Sequence, residues 1–185
     1  MQSGPKPYRP TPCTPGAFPG RSGAASSAIQ GRFITRPYVR MQVQTAPAAQ
    51  RKPSAVSRPG MEAFQVELRP SSGGWPLPRD VQAKMEGALG SSFSDVRIHV
   101  GSEASTIGAL AFTWGTDLYF APGQYNPHTP HGQFLLGHEL QHVVQQRSGR
   151  VPNPFGSGVA VVQDHALEAE ADRMGHLAAS WRPTA

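Results

Sequence analysis

The sequence predicts an α+β domain over residues 75–185, with one metal-binding helix and a short β-sheet, preceded by a disordered basic arm over 1–74. Three observations carry that expectation. Composition breaks near Trp75: the first 75 residues hold eleven of the nineteen prolines, whereas all seven histidines lie beyond them. Apolar residues past the break recur first at helical and then at strand spacing. Within that part, His138-Glu139-Leu140-Gln141-His142 sets two imidazoles four residues apart, on one face of a helix, with a glutamate between them.

Charge divides the chain at the same place. The arm carries ten Lys/Arg against Glu62 and Glu67, a net +8; residues 76–185 carry seven against ten acidic residues, a net −3 with His neutral. The basic residues stand singly among Pro, Ser, Gly and Ala, without the run or module of a nucleic-acid reader, so no nucleic-acid partner is expected. Such a segment buries too little apolar surface to offset the entropy of ordering it. Cys13 is the one cysteine and excludes an internal disulfide. The opening MQSGPKPYRPTP lacks the apolar stretch of a secretory signal peptide, and no run reaches the length of a membrane span.

From 1 to about 59 the chain reads as Pro/Gly/Ser/Arg-rich disorder, with local extended patches at 32–35 and 38–43. Phe64, Val66 and Leu68 alternate with polar residues, but Pro70 and Ser71-Ser72-Gly73-Gly74 follow at once, so this stretch reads as linker. Order begins at Trp75. Val81, Met85, Ala88 and Leu89 predict a helix over 79–89, stopped at Gly90. Val96, Ile98 and Val100 predict a half-buried strand with His99 on its other face. Residues 109–120 suit a hairpin turning at Gly115, whose edge suits pairing with an extended peptide backbone by strand addition. After a loop rich in Pro and Gly, a helix runs from about 131 to 147, and Gly149 suits its left-handed cap. Residues 151–162 read as a gap. Asp164 is the N-cap of a last helix, which extends to about 181.

Zinc that takes part in catalysis holds three protein ligands and keeps a fourth position open. His138 and His142 supply two. Glu168 and Asp172 lie four apart on one face of the last helix, with Glu170 turned about 200° away from Glu168. That face offers Glu168 as the third ligand and Asp172 as the carboxylate that holds a ligand histidine by its other ring nitrogen. Glu139 points elsewhere around its helix and suits a general base, taking a proton from activated water and passing it to the leaving amine. Donors to a developing oxyanion are sought among Tyr119, Tyr125, His165 and His176, with His165 and Tyr119 ranked first. By chance, the His-Glu-x-x-His pattern arises in a chain of this composition on the order of one time in a hundred.

The ordered runs FSDVRIHVG (93–101), AFTWGTDLYFAPGQY (111–125), LLGHELQHVVQQ (135–146) and LEAEAD (167–172) resemble the extracellular contractile injection system (eCIS) core domain family of bacteria. More widely, the chain is similar to gluzincin peptidases, whose His-Glu-x-x-His is followed by Glu-x-x-x-Asp. The resemblance implies a zincin-like domain, Zn2+ as cofactor, Glu168 on the zinc and Asp172 in support. It also implies a protein or peptide substrate and an association with phage-tail-like injection particles, as cargo or toxin. The expected location is the bacterial cytoplasm, with export by a route that needs no signal peptide. Two further readings compete with a zinc metalloendopeptidase: a non-catalytic metal-bound loading module, and a protease that cleaves its own arm.

Overall fold

The computed structural model describes residues 28–33, 59–68, 71 and 73–182. Among the described residues six strands form one sheet: β1 (Ala28–Phe33), β2 (Met61–Val66), β3 (Arg97–Val100), β4 (Ala109–Trp114), β5 (Asp117–Phe120) and β6 (Val159–Asp164). Their spatial order is β2-β6-β1-β4-β5-β3, with β6/β1 and β5/β3 parallel and the other pairs antiparallel. Among the described residues the helices are α1 (Arg79–Leu89), α2 (Glu103–Thr106), α3 (Pro130–Arg147) and α4 (His165–Ser180). The architecture is α+β, as composition and periodicity lead one to expect.

Strand alternation sorts side chains between the two sheet faces. Ile98, Ala111, Leu118 and Phe120 meet Val81 and Met85 of α1 and Leu135, Leu136, Leu140 and Val143 of α3 in one buried cluster. On the other face Ile29, Phe112, Tyr119 and Val161 pack beneath α2. Helix α3 is buried almost continuously from Leu135 to Val143, because the sheet covers one side and α4 another. Its start is fixed by Thr129, whose hydroxyl accepts from Gly132 N at 3.1 Å, and by Pro130 in the first turn. Asp164 caps α4 in the same way, accepting from Ala166 N and Leu167 N. Gly90 closes α1 in the left-handed conformation.

Two stretches of the expected disordered arm are strands. Residues 28–33 lie between β6 and β4, with Ala28, Ile29, Gln30 and Gly31 buried; residues 61–66 pair along the whole of β6. The physical reason is range. Their partners stand about eighty or more residues away in sequence, so the weak local signals, an extended patch at 32–35 and the alternation of Phe64, Val66 and Leu68, do not outweigh the basic, proline-rich chain around them. The patch at 38–43 lies outside the described residues. Strand β6 likewise corrects the gap expected over 151–162: Ala160, Val161 and Val162 are buried between β1 and β2. No described helix is long and apolar enough to cross a membrane.

Candidate metal centre

α3 and α4 bring together one group of donors. His138, His142 and Glu168 each offer an atom, and these atoms lie within 4.8 Å of one another. The histidine Nε2 atoms are 3.1 Å apart, and each is 3.5 Å from a Glu168 oxygen. Both imidazoles are fully buried, while the Glu168 side chain is 24% exposed.

The partners of the other ring nitrogens decide what these atoms are. His142 Nδ1 is 2.8 Å from Gln145 Oε1, and that amide's nitrogen is engaged in donating to Leu167 O. Facing an acceptor, Nδ1 carries the proton and donates it. His138 Nδ1 donates likewise to Asp172 Oδ1 at 3.0 Å. In the neutral rings, each Nε2 is therefore a bare lone pair aimed at the other. Glu168 Oε1 is a buried oxygen with no hydrogen-bond partner. Two lone pairs and an orphaned carboxylate oxygen converging in a largely buried site repel unless a cation or a proton lies between them. Zn–N bonds of about 2.0–2.1 Å at tetrahedral angles put ligand nitrogens about 3.3 Å apart, which the trio matches. The donor set, two imidazoles and one carboxylate, suits zinc.

Protonation compensates when no cation is bound. Burial pushes the His142 pKa down, but the hydrogen bond and charge of Glu168, the charge of Glu139 and the Gln145 carbonyl outweigh it and raise it. Burial pushes Glu168 up, yet the two imidazoles bring it to about 2. Glu168 is thus an anion at every working pH, and a metal ion bound here would have to displace the proton of His142. Zinc affinity is expected to be lost as pH falls through the raised pKa of His142, by about tenfold per unit for that one proton. Titration against a chelator from pH 8 to 5 checks this; an affinity flat across that range would contradict it.

Glu139 is fully buried beside the two imidazoles and is held from the sheet side. Its Oε2 accepts from Thr113 Oγ1 at 2.8 Å and its Oε1 from the Arg32 backbone N–H at 3.2 Å. Burial raises its pKa, the neighbouring imidazoles and the Thr113 hydroxyl pull it down, and the charge of Glu168 pushes it up, with a net rise.

Residues 76–150 match the eCIS core domain family model. No curated protein and no solved structure matches the chain. The eCIS core match spans less than half of the chain, from just before α1 to just past α3. It therefore takes in His138, Glu139 and His142 but neither Glu168 nor β1.

The two remaining expected catalytic residues stand elsewhere. Tyr119 is a correction: it lies on the sheet face opposite α3, 3% exposed, stacked between His99 at 4.4 Å and Phe112 at 4.6 Å. Its neighbours Leu118 and Phe120 take the helix side, and alternation sends Tyr119 away from the donors. His165 is exposed at the first position of α4, its ring against Gly60, and does not join the donor group. Tyr125 packs on Phe120 and Trp75, and His176 on Phe134. Four functional neighbours were not foreseen: Gln145, Thr113, Gln30 and Arg32. Gln145 alone had a local signal, since it follows His142 by three on the same helix. Gln145→Leu is expected to weaken zinc binding by about 10–100-fold, because it frees the ring that Gln145 orients. Competition with a chelator measures it, and unchanged affinity would remove Gln145 from the site.

Proposed function

We propose that this chain is a zinc-dependent metalloendopeptidase, associated with a contractile injection system as cargo or toxin. The observation that carries the peptidase reading is the trio of converging donor atoms, with the orphaned Glu168 Oε1 among them, beside a separate buried carboxylate. His138, His142 and Glu168 would hold the zinc, with Asp172 and Gln145 fixing both ring tautomers. A bound zinc ion would supply Lewis-acid polarisation of a carbonyl and a water of pKa near about 7. Glu139 would serve as the general base towards such a water and as the acid towards the leaving nitrogen, for which its raised pKa suits it. The injection-system association rests on the eCIS core match.

The test is turnover. The zinc-loaded protein is expected to cut members of an unstructured peptide library, to stop on chelation and to resume on adding zinc. One tightly held zinc per chain with no bond cut, in the library or in the chain itself, would overturn the peptidase reading and leave a metal-held binding module.

A further inference from the structure

A peptide whose amide is to receive a proton from Glu139 must lie in the groove between β4 and α3. The chain's own strand β1 lies there. It runs antiparallel to β4, with Gln30 opposite Thr113, Gly31 opposite Phe112 and Arg32 opposite Ala111. On its other side β6 pairs only with Ala28 and Ile29. From Gly31 onward, α3 and α4 provide the neighbours. The Arg32 amide nitrogen donates to Glu139 Oε1 at 3.2 Å, which is the contact a leaving nitrogen makes with a general acid–base group. The Arg32 guanidinium pairs with Asp172 and lies 5.6 Å over the Phe134 ring. Gln30 Nε2 donates to Gln145 Oε1 at 3.2 Å. At Gly31 an added Cβ would press into the Ala111 carbonyl and Phe112 Cα, so the groove admits glycine alone at this position.

We propose that β1 is a substrate held in cis and that the Gly31–Arg32 peptide bond is the bond this site cuts; the proposal rests on the peptidase reading above. Strand addition to β4 supplies the alignment, Asp172 and Phe134 select a basic residue after the bond, and the close approach to Phe112 selects glycine before it. Hydrolysis consumes one water. Its oxygen bonds to the Gly31 carbonyl carbon, and the C–N bond breaks with its electron pair passing to the Arg32 nitrogen. The proton Glu139 took from the water goes to that nitrogen, and the water's second proton follows it from the new carboxyl group, leaving a Gly31 carboxylate and an Arg32 α-ammonium. Until the bond is cut, β1 keeps other peptides out of the groove.

Full-length protein given one equivalent of zinc is expected to split into fragments 1–31 and 32–185, identified by intact mass and N-terminal sequencing. The rate should not depend on protein concentration, and Glu139→Gln should stay whole. Arg32→Glu should slow the cut at least tenfold. A second measurement needs no turnover: in metal-free Glu139→Gln protein, amides of 28–33 should be protected from hydrogen exchange. Adding Arg32→Glu should lower that protection at least tenfold and leave that of α3 unchanged. Unprotected amides over 28–33, cleavage at another bond of the arm, or a rate that rises with concentration would each overturn the proposal. So would a chain that cuts library peptides and spares Gly31–Arg32, with the peptidase reading intact. A chain that cuts neither would overturn both.

Discussion

Glu139→Gln is expected to lower hydrolysis by about 10³-fold while leaving zinc affinity and fold unchanged, within the 10²–10⁴ range of general acid–base contributions. The separation of roles comes from the helix. Glu139 is one residue from His138 and turned toward Thr113 and Arg32, so its carboxylate lies outside the donor trio. Glutamine has the same shape: its carbonyl oxygen keeps the Arg32 N–H, and its amide nitrogen donates to Thr113 Oγ1, whose proton goes to the residue-139 backbone carbonyl. The amide neither takes up nor gives up a proton near neutral pH, so the relay from water to the leaving nitrogen stops. Burial makes the native carboxylate a stronger base than an exposed one, and the amide removes that property altogether. Steady-state kcat/KM on a cleaved peptide and zinc titration of the same sample measure the two halves separately. Wild-type turnover in the variant would take Glu139 out of the chemistry; lost zinc would place it among the ligands.

How much of this was legible beforehand depended on range. Elements whose signals are local appeared at their expected places: α1 with Gly90, the β4–β5 hairpin turning at Gly115, α3 from its Pro130 start to the Gly149 turn, and α4 behind Asp164. Glu168 and Asp172 also followed from spacing, because a helix projects residues four apart on one side. Nothing local marks Gln30 and Arg32. Their contacts to Gln145, Glu139 and Asp172 span 107 to 140 residues, and they sit in a segment whose average composition argues against order. Tyr119 failed for a different reason. Strand alternation settles which residues share a face but leaves open which face meets the helix, and a flanking motif cannot choose between them.

Gly137→Ala is the substitution expected to damage fold and site together. α3 and α4 cross where Gly137 meets Gly175 and Ala178. A Cβ at 137 would lie 2.6 Å from Ala178 Cβ and 3.2 Å from Gly175 Cα, and one at 175 would lie 2.7 Å from the Phe134 carbonyl oxygen. Alanine favours a helix interior over glycine by about 1 kcal/mol, so propensity alone predicts a gain. Overpacking costs about 1–3 kcal/mol, and here the obstacle is a Cβ fixed to backbone, with no rotamer to move it aside. The net is a loss on the order of 1 kcal/mol, relieved only if α4 moves away. Glu168 and Asp172 ride on α4 and His138 follows Gly137 directly, so that movement opens the donor triangle and detaches the carboxylate that orients His138. Zinc affinity should therefore fall by about tenfold or more, as when a supporting partner is lost. Ala178→Gly in the same chain removes the obstructing atom and should restore most of the zinc affinity, although it returns the helix cost of one glycine. Urea unfolding of the metal-free protein and zinc competition on all three chains distinguish the two effects. If Gly137→Ala lowers stability yet binds zinc as the parent does, the helix crossing holds the fold without setting the metal geometry.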